Sequence, residues 1–145
     1  MKKAILMLLA SFFTLFASAQ IKVQGQSSSV KITSVSSSMG VLSFSDKYGY
    51  ILSLVSSNKY DKAGNYILGE TKESAIQTLK DLLELCGTIG DDILTVEVQP
   101  GRTCVISKSI NAGWLSLKFD RHAGRCRLRD SDIAELIDAI EQFER

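Results

Sequence analysis

The chain has 145 residues, 45% of them hydrophobic and 23% charged, with a formal net charge of +1. A composition this close to the globular average excludes a disordered, collagenous or disulfide-dense scaffold. So even a charge gives no general attraction to nucleic acid or to an anionic membrane.

Residues 1–19 read as a secretory signal peptide. Lys2 and Lys3 form a positive n-region, Ala4 to Phe16 is apolar except for Ser11 and Thr14, and Ala17-Ser18-Ala19 gives the small-x-small cleavage pattern. Gln20 then becomes the first mature residue. The apolar stretch is shorter than the roughly 20 residues a membrane span needs. No cysteine stands at the cleavage point to be acylated. The expectation is an exported bacterial protein of the periplasm or extracellular space. It is not a lipoprotein, and it keeps no transmembrane segment once the signal is cut. Losing Lys2 and Lys3 moves the net charge from +1 to −1, and 126 of the 145 residues remain, enough for one domain with one core.

Residues 20–28 read as a flexible Ser-rich leader, and residues 29–145 as a single α+β domain. Val30 and Ile32 alternate with Lys31 and Thr33, predicting a strand over 29–35. Val41 to Phe44 and Tyr48 to Ser56 read as a hairpin around Ser45-Asp46-Lys47. A polar loop over 58–64 leads to a short strand over 65–68. A helix follows, with Thr71 as N-cap, Ile76, Leu79, Leu82, Leu83 and Cys86 on one face, and Gly87 as its end. Leu94, Val96 and Val98 mark the next strand, which turns at Pro100-Gly101 into Arg102 to Ser107. Trp114 to Phe119 carries Leu115, Leu117 and Phe119 on one face, and Trp114 is expected to pack in the core. Arg125 to Arg129 forms the last strand. Asp132 and Glu135 have capping-box spacing for a final helix with Ile133, Leu136, Ile137, Ile140 and Phe143 as its stripe.

The two helices align at a constant offset of 57 residues, with Ser74 on Ser131, Ile76 on Ile133, Leu79 on Leu136 and Leu83 on Ile140. Each follows a group of strands. The chain therefore reads as antiparallel sheets with two amphipathic helices. It suggests a duplicated strands-then-helix unit over 29–87 and 91–145, arranged about a pseudo-twofold axis. This element order is similar to that of Whirly-type single-strand nucleic-acid-binding folds. The similarity stops at element order. No motif of that family is present, and an export signal argues against its function, so no nucleic-acid partner is expected.

Catalytic patterns are missing. His122 is the only histidine and sits in a charged turn, so no Ser-His-Asp triad or zinc set is predicted. Ser28-Ser29-Val30-Lys31 matches Ser-x-x-Lys, but in a strand or leader rather than at a helix start. Asp91 and Asp92 fall in a loop. No metal or cofactor is called for. Of the three cysteines, Cys86 and Cys126 both read as inward-facing and form the candidate disulfide, with no bridge at all as the alternative.

Two surfaces remain as candidate ligand-binding sites. Arg125, Arg127 and Arg129 project from one strand face, with Arg121 just before them, and could grip carboxylates, sulfates or phosphates. Tyr48 and Tyr50, in a half-chain that also holds Tyr60 and Tyr66, could stack on sugars or anchor a protein. These features suggest a non-catalytic binding or interaction module of the bacterial envelope, its partner an anionic glycan or a protein. The alternatives are a small secreted enzyme or enzyme inhibitor whose site assembles only in three dimensions, and an oligomeric structural component.

Overall fold

The computed structural model describes residues 29–56, 58–120 and 125–144. Among the described residues, eight strands and two helices follow one another as a strands-then-helix unit repeated twice. The first holds β1 (Ser29–Val35), β2 (Gly40–Ser45), β3 (Gly49–Leu54), β4 (Gly64–Gly69) and α1 (Lys72–Thr88). The second holds β5 (Ile93–Gln99), β6 (Arg102–Lys108), β7 (Trp114–Phe119), β8 (Cys126–Arg129) and α2 (Asp130–Gln142). Each set of strands forms an antiparallel meander in chain order, β1-β2-β3-β4 and β5-β6-β7-β8. The protein is thus α+β, with the strands-then-helix unit present twice.

The repeat extends to a turn that sequence alignment of the helices did not reach. The β2–β3 turn runs from Ser45 to Gly49 and the β6–β7 turn from Ser109 to Gly113. Both serines are buried, and both glycines have positive φ, +72° and +75°. A side chain at Gly49 would strike the backbone of Gly69 and Glu70, where β4 leads to α1. One at Gly113 would meet the carboxylate of Asp130, where β8 leads to α2. Glycine is needed twice for the same reason, because the turn is left-handed and closes against the approach to its own helix.

Alternation of apolar residues puts one face of each sheet into a single core. Leu42, Leu52 and Leu54 enter from the first sheet, Ile106, Leu115 and Leu117 from the second, and Leu79, Leu82, Leu136 and Ile140 from the helices. The helices pack on each other; α1 also lies against β4, and α2 against β1 and β8. None of the described helices is long and apolar enough to cross a membrane.

Helix ends differ from the expectations in two places. Thr71 does cap α1, in a reciprocal box with Ser74. Yet α1 runs through Gly87 to Thr88, and the left-handed residue is Gly90. The extra turn carries Ile89 into the core, where it is only 4% exposed, and that burial outweighs the stop signal at Gly87. In α2 the N-cap is Arg129, which makes no side-chain cap bond, so the Asp132–Glu135 box does not form. Asp132 is instead drawn into the first unit. It accepts hydrogen bonds from Ser37 Oγ at 2.5 Å and from Ser38 Oγ, both in the β1–β2 turn. Ser38 Oγ also accepts from the Arg129 N–H at 3.3 Å. The free N–H at the start of α2 is therefore capped by a hydroxyl from the other unit.

Candidate functional site

β8 is where sequence alternation bears most directly on surface chemistry. Cys126 and Leu128 are buried, while Arg125, Arg127 and Arg129 are exposed. Across the ladder, β7 pairs Trp114 with Arg129 and Ser116 with Arg127. One step further, Lys118 stands level with Arg125. Four cations and the only tryptophan of the chain thus share the outer face of two adjacent strands.

Among the described residues no ion pair joins Arg125 or Arg127 to an acid, and Arg129 meets Asp130 only at 3.9 Å. The Arg129 guanidinium lies 5.8 Å from the centre of the Trp114 ring. The matching outer face of the first sheet carries Val41, Ser43, Ile51, Ser53 and Ile67, with Lys31 the one charged residue on its strands. The basic face is therefore a property of the second unit and not of the fold.

Arg125 and Arg127 also form one wall of a groove of about 210 Å³ at the seam between the units. The opposite wall comes from the first unit: Ser37 and Met39 of the β1–β2 turn and Val55 after β3. Met39 is 49% exposed and Val55 42%. Trp114 lines the same groove. The arrangement offers two bidentate anion donors beside an apolar strip, with an aromatic ring between them. Trp114 was expected in the core and lies on this face instead. Its signal was legible: Leu115, Leu117 and Phe119 point inward, so Trp114, Ser116 and Lys118 fall on the other face, where Trp114 is half-buried and Ser116 is covered.

The other sequence candidates scatter. Arg121 and His122 lie outside the described residues. Tyr48 is 38% exposed with Lys47 Nζ 4.8 Å over its ring. Tyr50 is buried, edge-on to Phe44 at 5.0 Å and near Phe143 at 6.3 Å, so the structure places it in the core and apart from Tyr48 at the surface. Asp91 and Asp92 are exposed between α1 and β5.

All three cysteines are free thiols, so the Cys86–Cys126 bridge is absent. Cys86 is half-buried on α1, whereas Cys126 points toward the Leu54 carbonyl under the first sheet. Burial pushes Cys86 up to about 11 and Cys104 up to about 12, and raises Cys126 as well; the neighbouring Asp130 adds to the first and Cys126 to the second. Thiols held neutral in this way are packing groups rather than nucleophiles. Among the described residues no group of three or more His, Cys, Asp or Glu side chains could hold a metal.

Comparison with protein-family models, with curated proteins and with solved structures gave no significant match.

Proposed function

We propose that the chain is a non-catalytic binding module of the bacterial cell envelope, exported by residues 1–19, that holds an anionic partner with Arg125, Arg127 and Arg129. The observation that carries this reading is the row itself. Arg125 and Arg127 stand side by side without an ion pair among the described residues, next to Trp114 and along a groove. Clustered guanidinium groups repel one another, and a carboxylate, sulfate or phosphate between them relieves that repulsion with paired hydrogen bonds. A row kept only for solubility needs no aromatic ring or groove beside it.

Trp114 is the built-in reporter, because no other tryptophan contributes fluorescence. Titration with dextran sulfate and with a poly-glutamate peptide is expected to shift its emission, more weakly at high salt. Changing Arg125, Arg127 and Arg129 together to Ser is expected to abolish the shift and to abolish capture of the partner from an envelope extract. Unchanged titration and capture by that variant retire the row as a binding surface.

A further inference from the structure

We infer that a second groove, at the other seam between the units, binds an uncharged oligosaccharide. It is larger than the basic groove, at about 600 Å³, within the size range of small-ligand sites. One side is the β3–β4 connection, Tyr60 to Asn65; the other is the β5–β6 turn and the end of β7. It shares no residue with the basic groove, so this inference stands apart from the anion reading.

Its charge argues against an ionic ligand. Asp61 and Asp120 are matched by Lys62 and Arg102, and Arg102 is already committed, with Nε bridging the Asp120 carboxylate at 2.9 and 3.1 Å. Asp61, Asn65 and Gln99 are each held by a neighbour. Ser56 Oγ donates to Asp61 at 2.9 Å, Ser53 Oγ donates to Asn65 Oδ1 at 2.7 Å, and Gln99 Nε2 donates to the Asn65 carbonyl at 3.0 Å. Those bonds orient the two amides and leave the Asn65 amide N–H groups as donors and Gln99 Oε1 as an acceptor. Fixed planar donors and acceptors suit neighbouring sugar hydroxyls, each of which both gives and receives a hydrogen bond.

A sugar also needs an apolar surface for its C–H face. Val98 and Phe119 line the groove while being only 3% and 4% exposed, so they form a floor. Tyr60 stands at the rim, 82% exposed, with Lys59 Nζ 5.0 Å over its ring. A tyrosine this open buries no area for the fold, but it offers a flat ring against which a pyranose can stack.

The test is a two-dimensional amide NMR titration of the protein with neutral hexasaccharides: a β-1,4-glucan, an α-1,4-glucan and a β-1,4-linked N-acetylglucosamine chain. At least one is expected to shift the amides of residues 60–65, 98, 99, 101 and 102 at millimolar concentration. Tyr60→Ala and Gln99→Ala are each expected to weaken that binding roughly three- to ten-fold, with the remaining spectrum unchanged. Changing Arg125, Arg127 and Arg129 to Ser is expected to leave it intact, which separates this site from the basic row. The inference is overturned if no member of the panel moves those amides, if Tyr60→Ala binds as tightly as the parent, or if only dextran sulfate moves them.

Discussion

Asp132 ties the second unit to the β1–β2 turn of the first, and its removal makes a sharp test. Asp132 is 5% exposed and Ser38 4%, so both residues are buried. Replacing Asp132 with Ala takes away the acceptor of two hydroxyls, Ser37 and Ser38. A hydrogen bond to a charged group contributes about 1.5–3 kcal/mol, and a buried donor left unsatisfied costs about 1–3 kcal/mol. Against this stands the desolvation penalty of the carboxylate, which the variant escapes. The balance is a loss of about 2–4 kcal/mol, a large share of the roughly 5–15 kcal/mol available to a domain. With a urea dependence of ~1.5 kcal/mol per molar, the unfolding midpoint should fall by about 1.3–2.7 M. Asp132→Asn keeps one acceptor oxygen and should cost about half as much. Ser38→Ala removes both the donor to Asp132 and the acceptor of the Arg129 N–H. A double-mutant cycle between the two positions should therefore show about 1–2 kcal/mol of coupling. If Asp132→Ala lies within about 0.5 kcal/mol of the parent, or if the two substitutions simply add, the proposed clasp contributes nothing.

The thiols give a pH prediction whose sign is fixed. Cys86 and Cys104 stay protonated in the fold up to about 11 and about 12, while in the unfolded chain they ionise near 9. The unfolded state therefore binds fewer protons above pH 9, and stability should decline as pH rises through that range; Cys104→Ala should flatten the decline in urea midpoints measured from pH 8 to 10.5. At pH 8 iodoacetamide should label the native thiols far more slowly than the urea-unfolded ones, and equal rates would contradict the burial argument. Gly49→Ala should cost more than Gly113→Ala in thermal melts, about 3 against about 1–2 kcal/mol, because the first collides with backbone and the second with a movable carboxylate. Arg102→Met should cost under about 1 kcal/mol, since both members of its ion pair with Asp120 are about a third exposed.

The strand-by-strand meander was legible because alternation is strict in β8 and nearly so in β3, and β7 keeps Leu115, Leu117 and Phe119 inward although Ser116 between them is buried as well. The Arg row was legible for the same reason. The clasp was not, because Asp132 carries a local signal that a tertiary contact overrides. A carboxylate near a helix start reads as a cap, and nothing in the neighbouring residues points to serines 94 and 95 positions away. Tyr50 misleads in the opposite way. Beside Tyr48 it looks like half of a surface pair, yet the strand period sends it inward to Phe44 and Phe143. The larger groove was invisible in the sequence because its walls, Tyr60 to Asn65 and Val98 to Arg102, come from different units.

Two of the grooves lie where the duplicated units meet. One lies where the β3–β4 connection of the first unit meets the β5–β6 turn of the second; the other lies where the β1–β2 turn of the first meets β8 of the second. Seams between packed units leave concave space that neither can fill alone, which is where ligand sites collect. The two seams differ in chemistry. One seam received paired charges, two oriented amides and an open tyrosine, and the other received arginines beside a tryptophan. The same seam that carries the basic groove also holds the Asp132 clasp, since Ser37 and Ser38 serve both. A substitution that opens the clasp should therefore disturb the arginine groove first and leave the larger one intact, so the two binding readouts would also report which seam has parted.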